Sequence, residues 1–135
     1  MALSPTLRSR AMVVEKYVDL PAASGTTVGV SVPAGSLIIA AGFEALEAVP
    51  DVTTYTMDVT DGTTVFANDL NFDAAAAGTI LVGTTAGLVS AADTVDVVTT
   101  ISGSAGIISG RVFVVVVDVN DSVRQAAEVD RDTLA

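Results

Sequence analysis

The chain has 135 residues, which is enough for one domain with a single hydrophobic core. It contains no Cys, His or Trp, so disulfides, zinc-thiolate sites, imidazole bases and Ser/His/Asp or Cys/His catalytic triads are excluded. Its formal net charge of −10 disfavours binding to nucleic acid or to an anionic membrane surface. We therefore expect a protein that is not an enzyme and that binds no cofactor.

The charged residues are unevenly distributed. Between Tyr17 and Gly110 the chain carries ten acidic residues and no base. The six basic residues all lie outside that stretch: Arg8, Arg10, Lys16, Arg111, Arg124 and Arg131. The longest apolar run, Val112 to Val117, is far shorter than the ~20 residues that cross a bilayer. The N-terminus also lacks the apolar stretch of a secretory signal, so we expect neither membrane insertion nor secretion.

The composition and the first third of the chain favour strands. Val, Ile and Thr make up a third of the residues, and their β-branched side chains suit a pleated, half-buried surface. Met1 to Ala11 shows no periodicity and is predicted to be an arm. Met12 to Leu20 alternates between apolar and polar residues, as does Thr26 to Val32, which predicts two strands bounded by turns.

The middle of the chain contains the strongest local signal. Ser36 to Val49 is nearly continuous apolar sequence, which fits a long strand with a bulge at Gly42 or a segment that is partly helical. Val52 to Thr60 alternates, and Asp61-Gly62 separates it from the run Thr63 to Ala67. Because Asp and Gly both accept positive φ, this pair between two alternating runs predicts a hairpin.

The following elements are shorter until the last strand. Asn68 to Gly78 fits either one helical turn or a plain loop, and Thr79 to Val82 is a short strand candidate. Thr94 to Ile101 alternates as a strand and is followed by the Gly-Ser loop Ser102 to Ser109. Arg111 to Val119 is apolar on both faces, which predicts a central strand that is buried on both sides.

These elements predict one all-β domain with two extensions. Four acids and two arginines within the last sixteen residues indicate a tail that leaves the domain. About eight strands with turns every ~8–12 residues indicate an antiparallel, jelly-roll-like β-sandwich, with a barrel as the alternative. We therefore expect an N-terminal arm (1–11), a sandwich (12–119) and a C-terminal tail (120–135).

One group of carboxylates can be interpreted as a metal site. Asp58, Asp61 and Asp69 surround the predicted hairpin turn, and carboxylate oxygens are calcium ligands. Their spacing lacks the full pattern of a calcium loop, and turn chemistry already explains Asp61-Gly62. We therefore expect these residues to form a hairpin with a solvated face, and we predict no metal.

Two other patterns also have simpler interpretations. Glu44 with Glu47, or Asp93 with Asp96, would not form a carboxylate pair for glycoside hydrolysis, because residues three apart on a strand face opposite sides. The loop GSAGIISG is followed by a strand and has no lysine, unlike a phosphate-binding loop. We expect it to join two strands and to present Ile107-Ile108 as a candidate contact site.

Five segments together resemble a known class of viral protein. They are VEKYVDLPAA (Val14 to Ala23), VPAGSLIIAAGFE (Val32 to Glu44), YTMDVTDGTTVFANDL (Tyr55 to Leu70), ADTVDVV (Ala92 to Val98) and GRVFVVVVDVND (Gly110 to Asp121). The pattern resembles the small decoration, or cement, proteins on the heads of tailed bacteriophages, especially podoviruses of cyanobacteria. The resemblance extends over roughly Val14 to Asp121.

The resemblance implies a structural role on a virus particle. Such a protein is a jelly-roll-like domain without enzymatic activity that binds the outer surface of the capsid, clamps neighbouring major capsid subunits, and often forms trimers or other homo-oligomers. The basic residues are the candidate partner contacts: Arg8, Arg10, Lys16, Arg124 and Arg131. The alternative function is an adhesion module of a tail or fibre that recognises a host surface.

Overall fold

The computed structural model describes residues 11–118, and every regular element in that range is a β-strand. The nine strands are β1 (Ala11–Leu20), β2 (Gly25–Val32), β3 (Ser36–Ala45), β4 (Thr54–Thr60), β5 (Val65–Asn71), β6 (Ile80–Gly83), β7 (Gly87–Val89), β8 (Asp93–Ser102) and β9 (Ile108–Asp118). Within this range no helix is long and apolar enough to cross a membrane. The all-β class predicted from the abundant β-branched residues is confirmed.

The strands form two antiparallel sheets that pack face to face. Sheet A has the order β1-β9-β3-β6, and β7 also pairs with β3. Sheet B has the order β2-β8-β4-β5. The first strand thus pairs with the last, and the second with the last but one, which is a nesting typical of jelly-roll-like sandwiches. The predicted antiparallel sandwich is confirmed.

The core lies between the two sheets and is built from alternate residues of the strands. Phe43 of β3 meets Phe72, which follows β5, edge to face, with their ring centroids 5.6 Å apart. The hydroxyl of Tyr55 is buried without a hydrogen-bond partner among residues 11–118, and burial raises its pKa above the usual 10.0. Other fully buried side chains are those of Leu20, Ile38, Met57, Val59, Phe66, Val95, Val97, Val112 and Val114.

The long apolar run that begins at Ser36 forms a strand that is shorter than the run. β3 ends at Ala45, and the residues up to Val49 are irregular, so the partly helical alternative is wrong. The backbone of Ala45 bonds to Thr79 and Gly78, with N···O distances of 2.9 and 2.6 Å. These bonds tie the end of β3 to the loop before β6, which directs the chain away from the sheet.

The bulge in β3 is at Ile39 rather than at Gly42, because the register with β9 shifts between Ile38 and Ala40. Gly42 serves a different purpose. A Cβ atom at this position would lie 2.4 Å from the carbonyl oxygen of Leu81 in β6. The glycine therefore allows the backbone of β6 to approach β3 closely.

The predicted hairpin is present between β4 and β5, but its loop has four residues, 61–64. Only Gly62 in this loop has a positive φ, of 91°. Asp61 contributes through its side chain instead, because its Oδ1 accepts hydrogen bonds from the backbone N–H groups of Thr63 and Thr64 at 2.9 and 2.7 Å. The Asp-Gly pair thus forms the turn in two ways: the carboxylate of Asp61 accepts backbone hydrogen bonds, and Gly62 adopts a positive φ.

The region between the hairpin and β8 differs most from expectation. β5 continues to Asn71, past a bulge at Asp69, whose φ is 52°, and no helical turn follows it. The next stretch supplies two short strands, β6 and β7, which both pair with β3. Residues 11–118 therefore form nine strands, where about eight are predicted for the domain.

Candidate functional site

The outer face of sheet A is apolar. On the strands of this sheet, the residues that alternate with the core positions point away from sheet B. Several are large and well exposed, including Tyr17 at 65% and Leu88 at 56%. We call this surface the A face, and its apolar members are Val13, Tyr17, Leu37, Ile80, Val82, Leu88, Phe113, Val115 and Val117. Exposed apolar side chains that gather on one face are typical of interaction surfaces, which makes the A face the candidate site.

Arg111 lies on the A face, near the end of sheet A where β9 begins. Its Nε donates to Glu44 Oε1 at 2.9 Å, and its Nη1 donates to Glu15, so one guanidinium links β1, β9 and β3. The guanidinium carbon also lies 5.0 Å from the ring centre of Phe113. The hydrogen bond to Glu15 and the pairing with Glu44 raise the pKa of Arg111, although burial lowers it. The side chain therefore remains charged within a largely apolar surface.

The position of β9 explains why its sequence is apolar on both faces. β9 is central in sheet A, as predicted, and its inward residues Val112 and Val114 are fully buried. Its outward residues Val115 and Val117 are only half-buried, because no element within residues 11–118 packs over them. The expected burial on both sides is thus only partly met.

A shallow hollow lies at the end of the A face where β9 begins. It has a volume of about 260 Å³, and Tyr17 and Leu46 form its apolar walls. Ser109 at its edge donates to Asp19 Oδ1 at 2.9 Å through its hydroxyl and to Glu47 Oε1 at 3.2 Å through its backbone N–H. The hollow is therefore apolar in its walls and acidic at its rim.

The outer face of sheet B has the opposite character. We call it the B face, and on its two central strands the outward residues are Thr54, Thr56, Asp58, Thr60, Thr94, Asp96, Val98 and Thr100. On the edge strand β5, Val65 pairs with Thr60 and is 38% exposed. Asp96 Oδ1 accepts a hydrogen bond from the backbone N–H of Gly29 at 3.2 Å, beside the bulge in β2. Short polar side chains of this kind are compatible with water, so this face does not need to be covered by another protein.

The carboxylates near the hairpin have structural partners. Asp58 Oδ1 accepts the backbone N–H of Asp69 at 2.7 Å, which holds the bulge in β5, and Asp61 closes the turn. Residues 11–118 contain no group of three or more His, Cys, Asp or Glu side chains that could hold a metal ion. Hydrogen bonds to backbone N–H groups are sufficient to explain where the side chains of Asp58 and Asp61 lie.

The other acidic pairs are also separated by their partners. Glu44 bonds to Arg111, whereas Glu47 bonds to the backbone of Ser109. Asp93 Oδ1 accepts the N–H of Thr94, and Asp96 bonds across to β2. Neither pair converges on a common point, so the structure provides no two-carboxylate arrangement at these positions.

The candidate contact residues lie in different parts of the molecule. Arg8, Arg10, Arg124 and Arg131 are outside the described residues. Lys16 lies within β1 rather than in an arm, and its Nζ is 3.5 Å from the carbonyl oxygen of Val28 in β2.

The Gly-Ser loop before β9 presents one isoleucine rather than two. Ile107 is 66% exposed, whereas Ile108 is buried, because it is the first residue of β9 and pairs with Leu20. Only Ile107 is therefore available at this loop for contact with a partner.

The two ends of the described chain lie together. Ala11 at the start of β1 pairs with Val117 near the end of β9, so the first and last described residues lie at the same end of sheet A. The hollow beside Ser109 is at the opposite end, because Asp19 pairs with Ser109. The A face thus extends from the end of sheet A that holds Ala11 and Val117 to the hollow beside Ser109.

Comparison with solved structures identifies the fold. A chain from the acid-stable capsid of the Helicobacter pylori bacteriophage KHP30 matches with a TM-score of 0.57 and 12% identity, over 81% of this chain and 92% of that one. A chain from the capsid of cyanophage Pam1 matches with a TM-score of 0.61 and 18% identity, over 81% of this chain and 85% of that one. This chain shares its fold with proteins of two phage capsids. Neither a protein-family model nor a curated protein matches its sequence.

The resemblance to phage head proteins is thus confirmed at the level of the fold. Sequence reasoning did not identify the A face or the cluster of Arg111 with Glu15 and Glu44. One signal was available, because Arg111 is the lone base next to a strand that is apolar on both sides. An arginine at such a position needs acidic neighbours, and the strand pairing that supplies them is not readable from local sequence.

Proposed function

We propose that this chain is a structural protein of a phage virion that attaches to the outer surface of the head and joins neighbouring major capsid subunits. The fold carries this proposal, since two chains from phage capsids share it over 81% of this chain. The matches cover most of those chains as well, so the matched proteins have nearly the same length as this one.

The distribution of charge and apolar surface supports attachment from outside. The acidic stretch from Tyr17 to Gly110 would be repelled by packaged DNA inside a head, whereas it is tolerated on the exterior. The A face offers the apolar area that a stable interface needs, and the B face suits contact with water. The sandwich therefore has one side for binding and one side for solvent.

The basic residues and the exposed loop add contacts at the edges of the domain. We assign Arg8, Arg10, Arg124 and Arg131 to contacts with capsid or sister subunits, because terminal segments that order on a partner enlarge an interface. Lys16 and Ile107 supply further exposed contact points on the body. Joining of subunits by copies of this chain requires that each copy touch more than one neighbour.

The decisive experiment measures the amount and location of the protein in purified particles. A head-binding protein sediments with DNA-filled heads that lack tails, in as many copies as the capsid lattice has equivalent sites, and it raises the temperature at which the heads release DNA. An adhesion module of a tail or fibre is scarce and absent from tail-less heads. Finding the protein only in complete, tailed particles would overturn the proposal.

The contribution of the terminal segments is measured separately. Variants without residues 1–11 or 122–135 are added to heads that lack the protein, and occupancy is compared with that of the full chain. We expect reduced occupancy for each variant, provided that its unfolding temperature is unchanged. Full occupancy with both segments removed would show that the body alone binds.

A further inference from the structure

Within residues 11–118 the two sheets have four edges, and three of them are interrupted or covered. In sheet B, β2 has a register shift between Thr27 and Val30, and β5 is bulged beside Asp69, whose φ is positive. In sheet A, the far edge consists of the short strands β6 and β7. The loop between them bonds to β5, because Thr85 N–H donates to the carbonyl oxygen of Phe66 at 3.2 Å. Short, bulged or covered edges do not readily accept a further strand.

The fourth edge, formed by β1, is long and regular. β1 pairs with β9 without a register shift over all ten residues from Ala11 to Leu20. No other strand of the described chain pairs with β1, and no loop within that range bonds to its backbone. In an antiparallel strand the N–H and C=O groups of alternate residues point away from the paired neighbour. β1 therefore presents a row of backbone donors and acceptors to which an extended segment can add.

Lys16 does not block this edge. Its side chain lies on the same side of β1 as the core residues Val18 and Leu20, and its Nζ is 3.5 Å from the carbonyl oxygen of Val28 in β2. A lysine on an edge strand discourages further pairing when its charge stands in the way of a new strand. This side chain instead crosses the gap between the two sheets, so the outer backbone of β1 stays accessible.

The side chains of β1 on the A face define the chemistry of an added strand. Glu15, Tyr17 and Asp19 stand at every second position. Glu15 shares the single cation of Arg111 with Glu44, and Asp19 forms no ion pair within residues 11–118. Opposite charges directly across neighbouring strands stabilise a sheet. The complementary strand therefore carries Lys or Arg opposite Glu15 and Asp19, and an apolar residue opposite Tyr17.

A second copy of β1 matches this edge poorly. Three registers pair the middle of two antiparallel β1 strands, and each places like charges directly opposite one another. The opposed pairs are Glu15 with Glu15, Lys16 with Lys16, or Glu15 with Asp19. Such pairs destabilise a sheet. The charge pattern thus favours a segment of a different protein.

We propose that an extended, basic segment of another protein adds to sheet A along the outer edge of β1. The segment carries Lys or Arg at two positions four residues apart and an apolar residue midway between them. Backbone hydrogen bonds supply its affinity, and the alternate side chains fix its register. This inference deepens the proposed function and rests on it for the identity of the partner, a subunit of the head.

The first test uses the full-length protein and the peptide Val-Thr-Lys-Thr-Val-Thr-Lys-Thr-Val as the probe. We expect the peptide to slow hydrogen exchange at alternate backbone amides of β1 by at least about tenfold, with no comparable change in β2 or β5. The same peptide with Glu in place of Lys should bind at least about tenfold more weakly. Protection of β2 or β5 instead, or no protection at any peptide concentration, would overturn the proposal.

Methylation of the peptide backbone separates strand addition from simple attraction between charges. Methyl groups on the Thr nitrogens block one edge of the extended peptide, and methyl groups on the Lys and Val nitrogens block the other. Both peptides keep their charges, and we expect at least one of them to bind at least about tenfold more weakly. Binding that neither methylation changes would contradict strand addition.

A matched pair of variants tests the contribution of Asp19. Asp19→Asn removes a charge at the edge and keeps an oxygen that accepts the hydroxyl of Ser109. Asp93→Asn makes the same change in sheet B, where the side chain accepts the N–H of Thr94. We expect peptide affinity to fall about fivefold for Asp19→Asn, less at high salt, and less than about twofold for Asp93→Asn. Equal losses would refute the assignment to Asp19.

The free protein reveals other occupants of the edge. Protection of alternate β1 amides that rises with protein concentration would assign the edge to a second copy. Protection that is independent of concentration and is lost when residues 1–10 or 119–135 are removed would assign it to a terminal segment of the same chain. Either result would overturn the proposal.

Purified heads that lack the protein distinguish this inference from the proposed function. We expect an excess of the Lys peptide to reduce binding of the protein to heads by at least about tenfold, and the Glu peptide to have no such effect. Head binding that saturating Lys peptide leaves unchanged would overturn the inference while the proposed function stands. Absence of head binding, with normal protection of β1 by the peptide, would overturn the proposed function and leave the edge site standing.

Discussion

The two outer faces of this sandwich are built on similar sheets and differ in chemistry. The A face presents aliphatic and aromatic side chains around one arginine held by two glutamates. The B face presents threonines and two aspartates, and both aspartates accept hydrogen bonds from backbone N–H groups. Both sheets use their inward residues for one shared core, so the fold itself does not require the outer faces to differ.

This difference separates the demands of folding from those of association. A sandwich folds when its inner faces are apolar, and water is an adequate neighbour for the other side. Apolar residues on an outer face add nothing to the core, and they favour aggregation unless something covers them. The A face is therefore the candidate surface for a partner, whereas the B face suits contact with water.

The largest expected effect is on stability, at Gly42 in sheet A, where two strand backbones approach closely. Gly42→Ala would place a Cβ atom 2.4 Å from the carbonyl oxygen of Leu81 and 2.7 Å from the ring of Phe113, so β6 and the A face must shift. We expect a loss of about 3 kcal/mol in the free energy of unfolding, measured with urea. The control is Gly25→Ala in sheet B, where the nearest atom is 3.5 Å away. A similar loss for both variants would contradict the close approach in sheet A.

The next effect concerns association rather than folding. Ile80→Asp with Val82→Asp places two charges on the A face, and we expect binding to sister subunits or to heads to weaken roughly a hundredfold. Thr54→Asp with Thr56→Asp makes the same change in charge on the B face and should weaken binding less than about threefold. Quantitative pull-down with both pairs measures this contrast, and unfolding curves exclude misfolding. Equal losses would show that the faces are not functionally different.

A smaller effect is expected for the positive charge of Arg111 on the A face. Arg111→Met leaves Glu15 and Glu44 without their shared cation, and because the site is partly exposed we expect a loss of only about 1 kcal/mol in stability. Adding Glu44→Gln to this variant removes one of the two carboxylates and should restore part of the loss. Urea unfolding at low and high salt checks both statements. No recovery in the double variant would show that Arg111 acts by packing on Phe113 rather than by charge.

The smallest effect lies in the core, which both sheets share. The buried hydroxyl of Tyr55 has no partner among the described residues, so Tyr55→Phe should be about 0.5 kcal/mol more stable at pH 7. Burial raises the pKa of Tyr55, so above pH 10 the unfolded state loses its proton first and the stability of the original protein falls as pH rises. Tyr55→Phe should lack this alkaline loss, whereas Tyr17→Phe at an exposed site should keep it. Identical pH profiles would refute the assignment to Tyr55.

Much of the fold was predictable because its signals are local. Alternation in Val52 to Thr60 and the Asp61-Gly62 pair predicted β4 and the hairpin, since period and turn chemistry are properties of neighbouring residues. The composition predicted the all-β class for the same reason. The role of Gly42 was misjudged as a bulge, because its real cause is the approach of β6, nearly forty residues later in the chain.

The interaction surface was predictable only in part. The apolar run of β9 correctly indicated a central strand, but sequence alone cannot tell burial in a core from burial under a partner. Ile107-Ile108 was predicted as a single contact site. Ile108, however, is the first residue of β9 and its side chain is buried, so only Ile107 is exposed. The Arg111 cluster depends on the register of β1, β9 and β3. A shift of one residue in any of these strands would move a member of the cluster to the opposite face of the sheet.

The placement of residues 11 and 118 at one end of sheet A has a mechanical consequence. Strands β1 and β9 pair over ten residues, from Ala11 with Val117 to Leu20 with Ile108. A pull that separates the two termini would load this ladder from one end and unzip it one pair at a time, which is the weak direction of an antiparallel ribbon. A force along the strands, applied between Ala11 and the opposite end of sheet A, would instead load all the β1–β9 hydrogen bonds together in shear. The domain would thus resist a pull best when both ends of this ladder are anchored in the same place and the force enters from the opposite end of the sheet.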